Sequence, residues 1–327
     1  MKPFAIAGIQ MYLSASQSNV AAMKSRIDIL MSLYPWVQMV VFSELAPLGP
    51  FLRSAQPFPA DKANEVEAEF AEIAQKYGIW LLPGSIFELV GETYYNTASV
   101  INPEGKIVGR YRKMFPFFPY EVGVTGGTEF LVFDVPTVGR FGVSICYDMW
   151  FGETTRTLAA MGAEVILHPT MTNTIDREVE LSIARASAAC NQCFFFDING
   201  CGELGNGQSI IVGPAGDILH QAGHSEQMIP LEIDLDRVRR SREVGLRGLG
   251  QPLKSFRDRT AQFEIYSKAD AAGNYLQTLG ELQKAARGSR AGLRPHEPLG
   301  TDYNLPETNT PLQASIPIQG AAPKGVF

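Results

Sequence analysis

Cysteine and histidine are scarce, with four of each among 327 residues. So few cysteines (Cys146, Cys190, Cys193, Cys201) make no disulfide framework in a chain this long. Of the histidines, His220 and His224 fall in a hairpin and a loop and His296 in a proline-rich stretch, leaving His168 as the one placed to line a site. Basic charge is also short. Lys and Arg total 28 against 34 Asp and Glu, a net charge of −6, which argues against a nucleic-acid partner because phosphates demand basic patches. Long apolar runs are missing too. Phe141 to Cys146 and Cys193 to Phe196 fall far short of the roughly 20 residues that span a bilayer, so no membrane partner is expected. The opening stretch from Met1 to Ala7 is too short in apolar residues for a secretory signal and reads as a first strand. The expected compartment is the cytoplasm.

What is present is a core-forming composition, 45% hydrophobic and 19% charged, which excludes a disordered or collagen-like chain. Strand and helix patterns alternate. Phe4 to Ile9 reads as a strand, followed by Val20, Met23, Ile27, Leu30 and Tyr34 at helical spacing, with Ser18 or Asn19 placed to cap the start. Val37 to Phe42 is a buried strand that ends at Ser43-Glu44. Val66, Phe70, Ile73, Ala74 and Tyr77 mark a helix stopped by Gly78, and Ile79 to Leu82 follows as a strand. Strands are further expected at 130–135, 141–146, 164–167, 194–198 and 228–233, and helices at 153–161, 177–189 and 234–243. Two hairpins share a pattern: Asn102-Pro103-Glu104-Gly105 and Gly213-Pro214-Ala215-Gly216 each sit between β-rich arms, a similarity that is too little, at one hairpin each, to make a repeat. From Gly288 onward six prolines punctuate a stretch without hydrophobic period. The expected division is a domain over 1–287 and a Pro-rich tail over 288–327. Cys190 and Cys193 form a C-x-x-C in an apolar run, read as buried thiols and not as a metal site, since no second Cys or His pair follows at ligand spacing.

Cys146 closes an apolar strand and opens the polar turn Tyr147-Asp148. A nucleophile at a strand end is exposed beside backbone N–H donors; a core cysteine capping a buried strand is the other reading, and the local pattern leaves both open. A papain-like pairing with His168 is one option for activation. Another uses Glu44, at the end of its strand, as a general base of raised pKa, with Lys113 favouring the thiolate and an oxyanion.

Val40-Val41-Phe42-Ser43-Glu44, Gly109-Arg110-Tyr111-Arg112-Lys113 and Gly142-Val143-Ser144-Ile145-Cys146-Tyr147-Asp148, in this order, resemble the nitrilase or carbon–nitrogen hydrolase superfamily. Asn19, Tyr95-Asn96-Thr97-Ala98, Phe151-Gly152-Glu153, Arg156 and the hairpin from Ser209 to Asp217 support the resemblance, which runs to about Arg240. It implies an α/β fold, a four-layer α-β-β-α sandwich, and a homodimer or higher homo-oligomer. It further implies Cys146 as nucleophile, Glu44 as base, Lys113 with the Tyr147 backbone N–H as oxyanion stabilisers, and Glu121 as a second glutamate orienting the lysine. No cofactor and no metal are implied. The substrate pocket is assigned to Phe117, Tyr120, Trp150 and Thr170. Branches that take carboxylate-bearing substrates often carry arginine just after the nucleophile; here Met149 and Trp150 stand there. With Phe115, Phe117, Phe118 and Tyr120 nearby, the expected partner is a small neutral amide with an apolar or aromatic acyl group, about half of those aromatics serving as packing. Tyr147-Asp148 after the cysteine, where nitrile-cleaving members commonly have Trp-Glu, favours an amidase over a nitrilase.

Overall fold

The computed structural model describes residues 3–50 and 60–263, with Tyr266, Leu282 and Lys284. The chain divides into two units, Met1–Thr260 and Ala261–Phe327, and the elements that follow all lie in the first. The expected tail over 288–327, and its boundary, lie outside the described residues.

The first half of the unit runs β1 (Phe4–Gln10), β2 (Tyr12–Leu13), α1 (Val20–Leu33), β3 (Met39–Phe42), α2 (Ala60–Tyr77), β4 (Trp80–Leu82), β5 (Ile86–Val90), β6 (Thr93–Ile101) and β7 (Ile107–Arg112). The second half runs β8 (Leu131–Val135), β9 (Gly139–Val143), α3 (Gly152–Ala160), β10 (Val165–Thr170), α4 (Arg177–Asn191), β11 (Phe194–Asn199), β12 (Cys201–Gly202), β13 (Ile210–Val212), β14 (Ile218–Gln221), β15 (Gln227–Ile233), α5 (Asp236–Val244) and α6 (Pro252–Arg257). One sheet has the order β15-β1-β3-β4-β6-β5 with β7 on β6; the other is β14-β13-β11-β10-β9-β8.

Alternation along the strands sorts side chains into layers. Met39 and Val41 of β3 face the other sheet, joining Phe4, Ile6, Phe141, Val143, Phe194 and Phe196 in the core between the sheets. Their neighbours Val40 and Phe42 point outward onto Met23, Ile27 and Leu30 of α1 and Phe70 of α2. Phe195 and Ile166 point out of the second sheet onto Leu158, Leu181, Ala184 and Ala188 of α3 and α4. Helix, sheet, sheet and helix are thereby stacked through three apolar contacts, consistent with the expected sandwich. Small residues on α4 allow its close approach.

The two sheets share an arrangement of strands. In each, three neighbouring parallel strands (β1, β3, β4 and β9, β10, β11) are flanked on one side by an antiparallel strand (β15 and β8). On the other side stands one of the two expected hairpins, β6–β7 and β13–β14, each with a register shift in its first strand. The shared turn pattern thus coincides with a strand arrangement common to both sheets.

Two local expectations change. Helix α1 starts after Asn19, but that side chain does not cap it: its amide bridges Ser14 N–H (2.9 Å), Ser14 C=O (3.1 Å) and Ala46 C=O (3.0 Å). Asn19 therefore ties the start of the chain to the segment after Glu44, and Ser18 Oγ takes the Val20 N–H at 3.4 Å instead. Of the C-x-x-C pair only Cys193 is buried, its thiol pushed up to about 12 by burial. Cys190, three residues earlier on α4, faces solvent because helical rotation carries it off the packed stripe. No helix among the described residues is long and apolar enough to cross a membrane.

Candidate active site

The segments that follow β3, β7 and β9 come together, each at a strand's C-terminal end, where a strand must hand its last polar backbone groups to new partners. Glu44 donates its N–H to Thr170 C=O at the end of β10 (3.1 Å), and Lys113 donates its own to Asn96 C=O (2.8 Å). These bonds deliver both side chains to one buried place. The Lys113 ammonium, 1% exposed, donates to Glu44 Oε1 (2.8 Å) and to Glu121 Oε2 (2.7 Å). Asn96 repeats the bridge with its amide NH₂, at 2.8 Å to Glu44 and 3.2 Å to Glu121. Glu121 also accepts the Phe117 N–H at 2.5 Å.

Cys146 opens a short 3₁₀ turn, Cys146–Trp150, in a left-handed conformation with φ of 45°. Such a conformation costs a non-glycine residue about 1–3 kcal/mol and persists where neighbours fix it. The expected strand 141–146 stops at Val143, although Ile145 before the turn is still extended. Close packing supports the glutamate side of the site: Gly84, with φ of 84°, lies so near Ser43 C=O that any Cβ would overlap it.

Two carboxylates share one lysine, and their proton affinities diverge. Burial raises the Glu44 pKa, Lys113 opposing and Glu121 reinforcing the rise. Burial acts on Glu121 too, but there the Lys113 ammonium prevails and lowers its carboxyl. Burial works against charge on Lys113, yet Glu44, Cys146 and Glu121 hold it protonated well above 10.5. A pair of carboxylates split in this way separates a proton acceptor from a fixed anion. The Cys146 thiol is pushed well above 9.0, chiefly by burial and by Glu44, against the pull of Lys113. Lys113 therefore does not by itself bring out a thiolate, and the Cys146 proton needs an acceptor beside it, as the pairing with Glu44 expects.

These groups open onto a cavity of about 710 Å³. Phe117, Tyr120 and Trp150 line it, and so does Tyr147, to which sequence reading assigns only a backbone role; Phe117 is stacked on Tyr120 (4.8 Å between ring centroids) and tilted on Tyr147 (4.9 Å). Phe115 instead stacks on Phe151 at 3.6 Å, and Phe118 lies on the surface; two of the four aromatics are thus packing or surface. Thr170 does not line the cavity. It is wholly buried, its carbonyl taken by Glu44 and its hydroxyl 3.4 Å from that of Thr172, and Met171 and Thr172 supply the wall instead. Met149 packs into the core beneath α3 and α4, so only Trp150 of that pair faces the cavity. His168 is buried with Nδ1 on Ser144 Oγ (2.8 Å) and held down to about 3, first by burial and then by Arg177 and Lys113, which removes it as the base of a Cys–His pair.

Sequence reading missed Asn96 as a bridge, knowing only its Tyr-Asn-Thr context, and missed Glu180. The latter lines the cavity from α4, held by Thr172 Oγ1 (3.1 Å) and Arg177 (3.2 Å), an arginine shared with Asp197 (2.8 Å). Among the described residues no three His, Cys, Asp or Glu side chains converge as metal ligands.

Two facing sheets wrapped in helices bring a thiol, two carboxylates and a captive ammonium together at their strand ends. Residues 4–243 match the carbon–nitrogen hydrolase family, and the chain belongs to that family, as an amidase-like enzyme of the nitrilase superfamily. It is 31% identical over 189 residues to the chloroplastic omega-amidase of Arabidopsis thaliana, covering 53% of this chain and 50% of that one. It is 30% identical over 232 residues to the omega-amidase NIT3 of Saccharomyces cerevisiae, covering 65% of this chain and 75% of that one. The match thus spans only half the length of the plant relative. A carbon–nitrogen hydrolase structure from Helicobacter pylori G27 superposes with a TM-score of 0.69 at 25% identity, over 83% of this chain and 98% of that one.

Proposed function

We propose that the chain hydrolyses a small neutral carboxamide to acid and ammonia through a thioester on Cys146. The observation that carries this reading is the buried lysine held by two glutamates of opposed proton affinity beside a buried thiol. Cys146 Sγ bonds to the amide carbon while Glu44 takes the thiol proton, and the carbonyl π pair moves onto oxygen. Lys113 and the Tyr147 N–H meet that charge. The C–N bond then breaks, Glu44 returns the proton to nitrogen, and ammonia leaves the thioester. Water attacks next, giving its proton to Glu44; the C–S bond breaks and the sulfur regains a proton. Glu121 stays charged throughout and anchors the ammonium. The raised pKa of Glu44 makes it the stronger base of the two.

The pH profile follows from these directions. Glu44 works unprotonated, and its pKa is raised above 4.5, so kcat/KM falls as pH drops through a value above 4.5. Cys146 and Lys113 hold their protons beyond 9.0 and 10.5, so the profile stays flat up to about pH 9. An alkaline decline starting near neutrality would contradict this assignment of protons.

The cavity wall argues the substrate class. Among the described residues its lining holds four carboxylates, Glu44, Glu121, Asp176 and Glu180, and one cation, Lys113, already engaged twice. A carboxylate on the acyl group finds no counter-ion among these residues, whereas Leu45, Phe87, Val124 and Met171 give an apolar chain a wall. Ammonia release from a panel of amides beside matching nitriles tests the reading. Neutral amides are expected to exceed anionic amides of equal length by about 100-fold in kcat/KM, equivalent to about 2.7 kcal/mol. Preference for the anion would refute the neutral class, and release from nitriles alone would make the enzyme a nitrilase. Assembly as a homodimer or larger homo-oligomer, checked by sedimentation, and work in the cytoplasm belong to the same proposal.

A further inference from the structure

Asp148 stands two residues past the nucleophile, fully buried, and no step of the reaction uses it. Its Oδ1 accepts the Phe115 N–H (2.9 Å), and its Oδ2 accepts the Tyr111 hydroxyl (2.7 Å) and the Ile145 N–H (2.9 Å). Tyr111 and Phe115 stand two residues before and two after Lys113, and Ile145 immediately precedes Cys146. The backbone of Asp148 closes the same turn: its N–H donates to Ile145 C=O (3.0 Å) and its carbonyl accepts the Thr154 hydroxyl (2.7 Å). One carboxylate therefore joins the end of β7, in one sheet, to the end of β9, in the other. Cys146, with its positive φ, sits between these bonds.

We infer that Asp148 is a positioning residue that sets Lys113 and the Cys146–Tyr147 turn relative to each other, so that the ammonium and the Tyr147 N–H address one oxyanion. This rests on the reading of those three residues given above. All of the carboxylate's partners are donors, so the anion is needed. An asparagine of the same size has to turn its NH₂ either against the Phe115 N–H or against the Tyr111 and Ile145 donors. Burial raises the Asp148 carboxyl to about 6 against the pull of Tyr111, Ile145, Phe115 and Lys113; Tyr111 and Lys113 are the titratable groups that face it.

The test compares Asp148→Asn and Tyr111→Phe with wild type on a neutral amide. We expect kcat to fall about 100-fold in the first and about 5–10-fold in the second, with KM within about threefold. A second readout is the affinity for the aldehyde analogue of that amide, which Cys146 converts to a tetrahedral hemithioacetal. The S–C bond forms and the thiol proton passes to Glu44 or to the new oxygen. That affinity is expected to fall in step with kcat/KM, while affinity for the product acid holds. A mere brace of the fold would lower the melting temperature and leave kcat per folded molecule and aldehyde affinity at wild-type values; that result overturns the inference. If Asp148→Asn fails to fold, Tyr111→Phe decides, because it removes one donor and keeps the carboxylate. A wild type silent on every amide would overturn the functional reading itself, whereas an active wild type with unaffected variants would overturn the role of Asp148 alone.

Discussion

Cys146→Ala is expected to fold as wild type does and to release ammonia at least about 10⁴-fold more slowly, the scale on which removing a covalent nucleophile acts. The residue is buried in a left-handed turn, and alanine gives up one sulfur's packing and the thiol's weak hydrogen bonds to Glu44 and the Met171 backbone. The thermal midpoint should therefore move little. Cys146→Ser separates nucleophilicity from shape. Its hydroxyl fits the same space but gives up its proton far less readily than a thiol, and Glu44 has to take that proton; a loss of about 10³-fold or more is expected. Ammonia assays beside thermal melts check both variants. If Cys146→Ala kept more than about 1% of the rate, the thioester route would fail, and water activated directly by Glu44 would become the better mechanism.

The strands, helices and layers were legible because apolar period and strand alternation are local properties of the chain. Cys146 and Glu44 could be singled out because each ends an apolar run at a polar turn. Lys113 could not be distinguished from a surface charge on its own: what buries it is the convergence of Glu44 and Glu121 with Asn96, residues 69, 8 and 17 positions away in the sequence, and only β6–β7 register brings Asn96 alongside. That an ammonium stands near the thiol was open to sequence reading, while the burial that outweighs its pull on the thiol belongs to the assembled core. Thr170 and Met149 show the same limit at finer scale. A strand end and a 3₁₀ turn place successive side chains in opposite layers, and one residue's error in register moves a side chain from cavity wall to core. Asp148 was visible only as part of a motif. Its use, joining two sheets, has no sequence signature.

Lys113→Met is expected to be the most damaging single change, in activity and in stability together. Methionine matches the length of the lysine stem, so little packing is lost, but Glu44 and Glu121 remain buried around Asn96 with no cation between them. Removing one partner from a buried charge group costs about 3–5 kcal/mol, and loss of the oxyanion's ammonium should lower turnover at least about 10³-fold. The sign of the pH dependence identifies the cause. Without Lys113 both carboxyls titrate above their unfolded values, so the folded state binds more protons than the unfolded one and the variant gains stability as pH falls through the raised values. The deficit against wild type, large at about pH 8, should therefore narrow at about pH 5, where the carboxylates can protonate and share a hydrogen bond. Melting curves at the two pH values read this directly. A deficit independent of pH would mean that the lysine stem, and not its charge, holds the site together, and the assignment of Lys113 as the shared counter-ion of Glu44 and Glu121 would then fall.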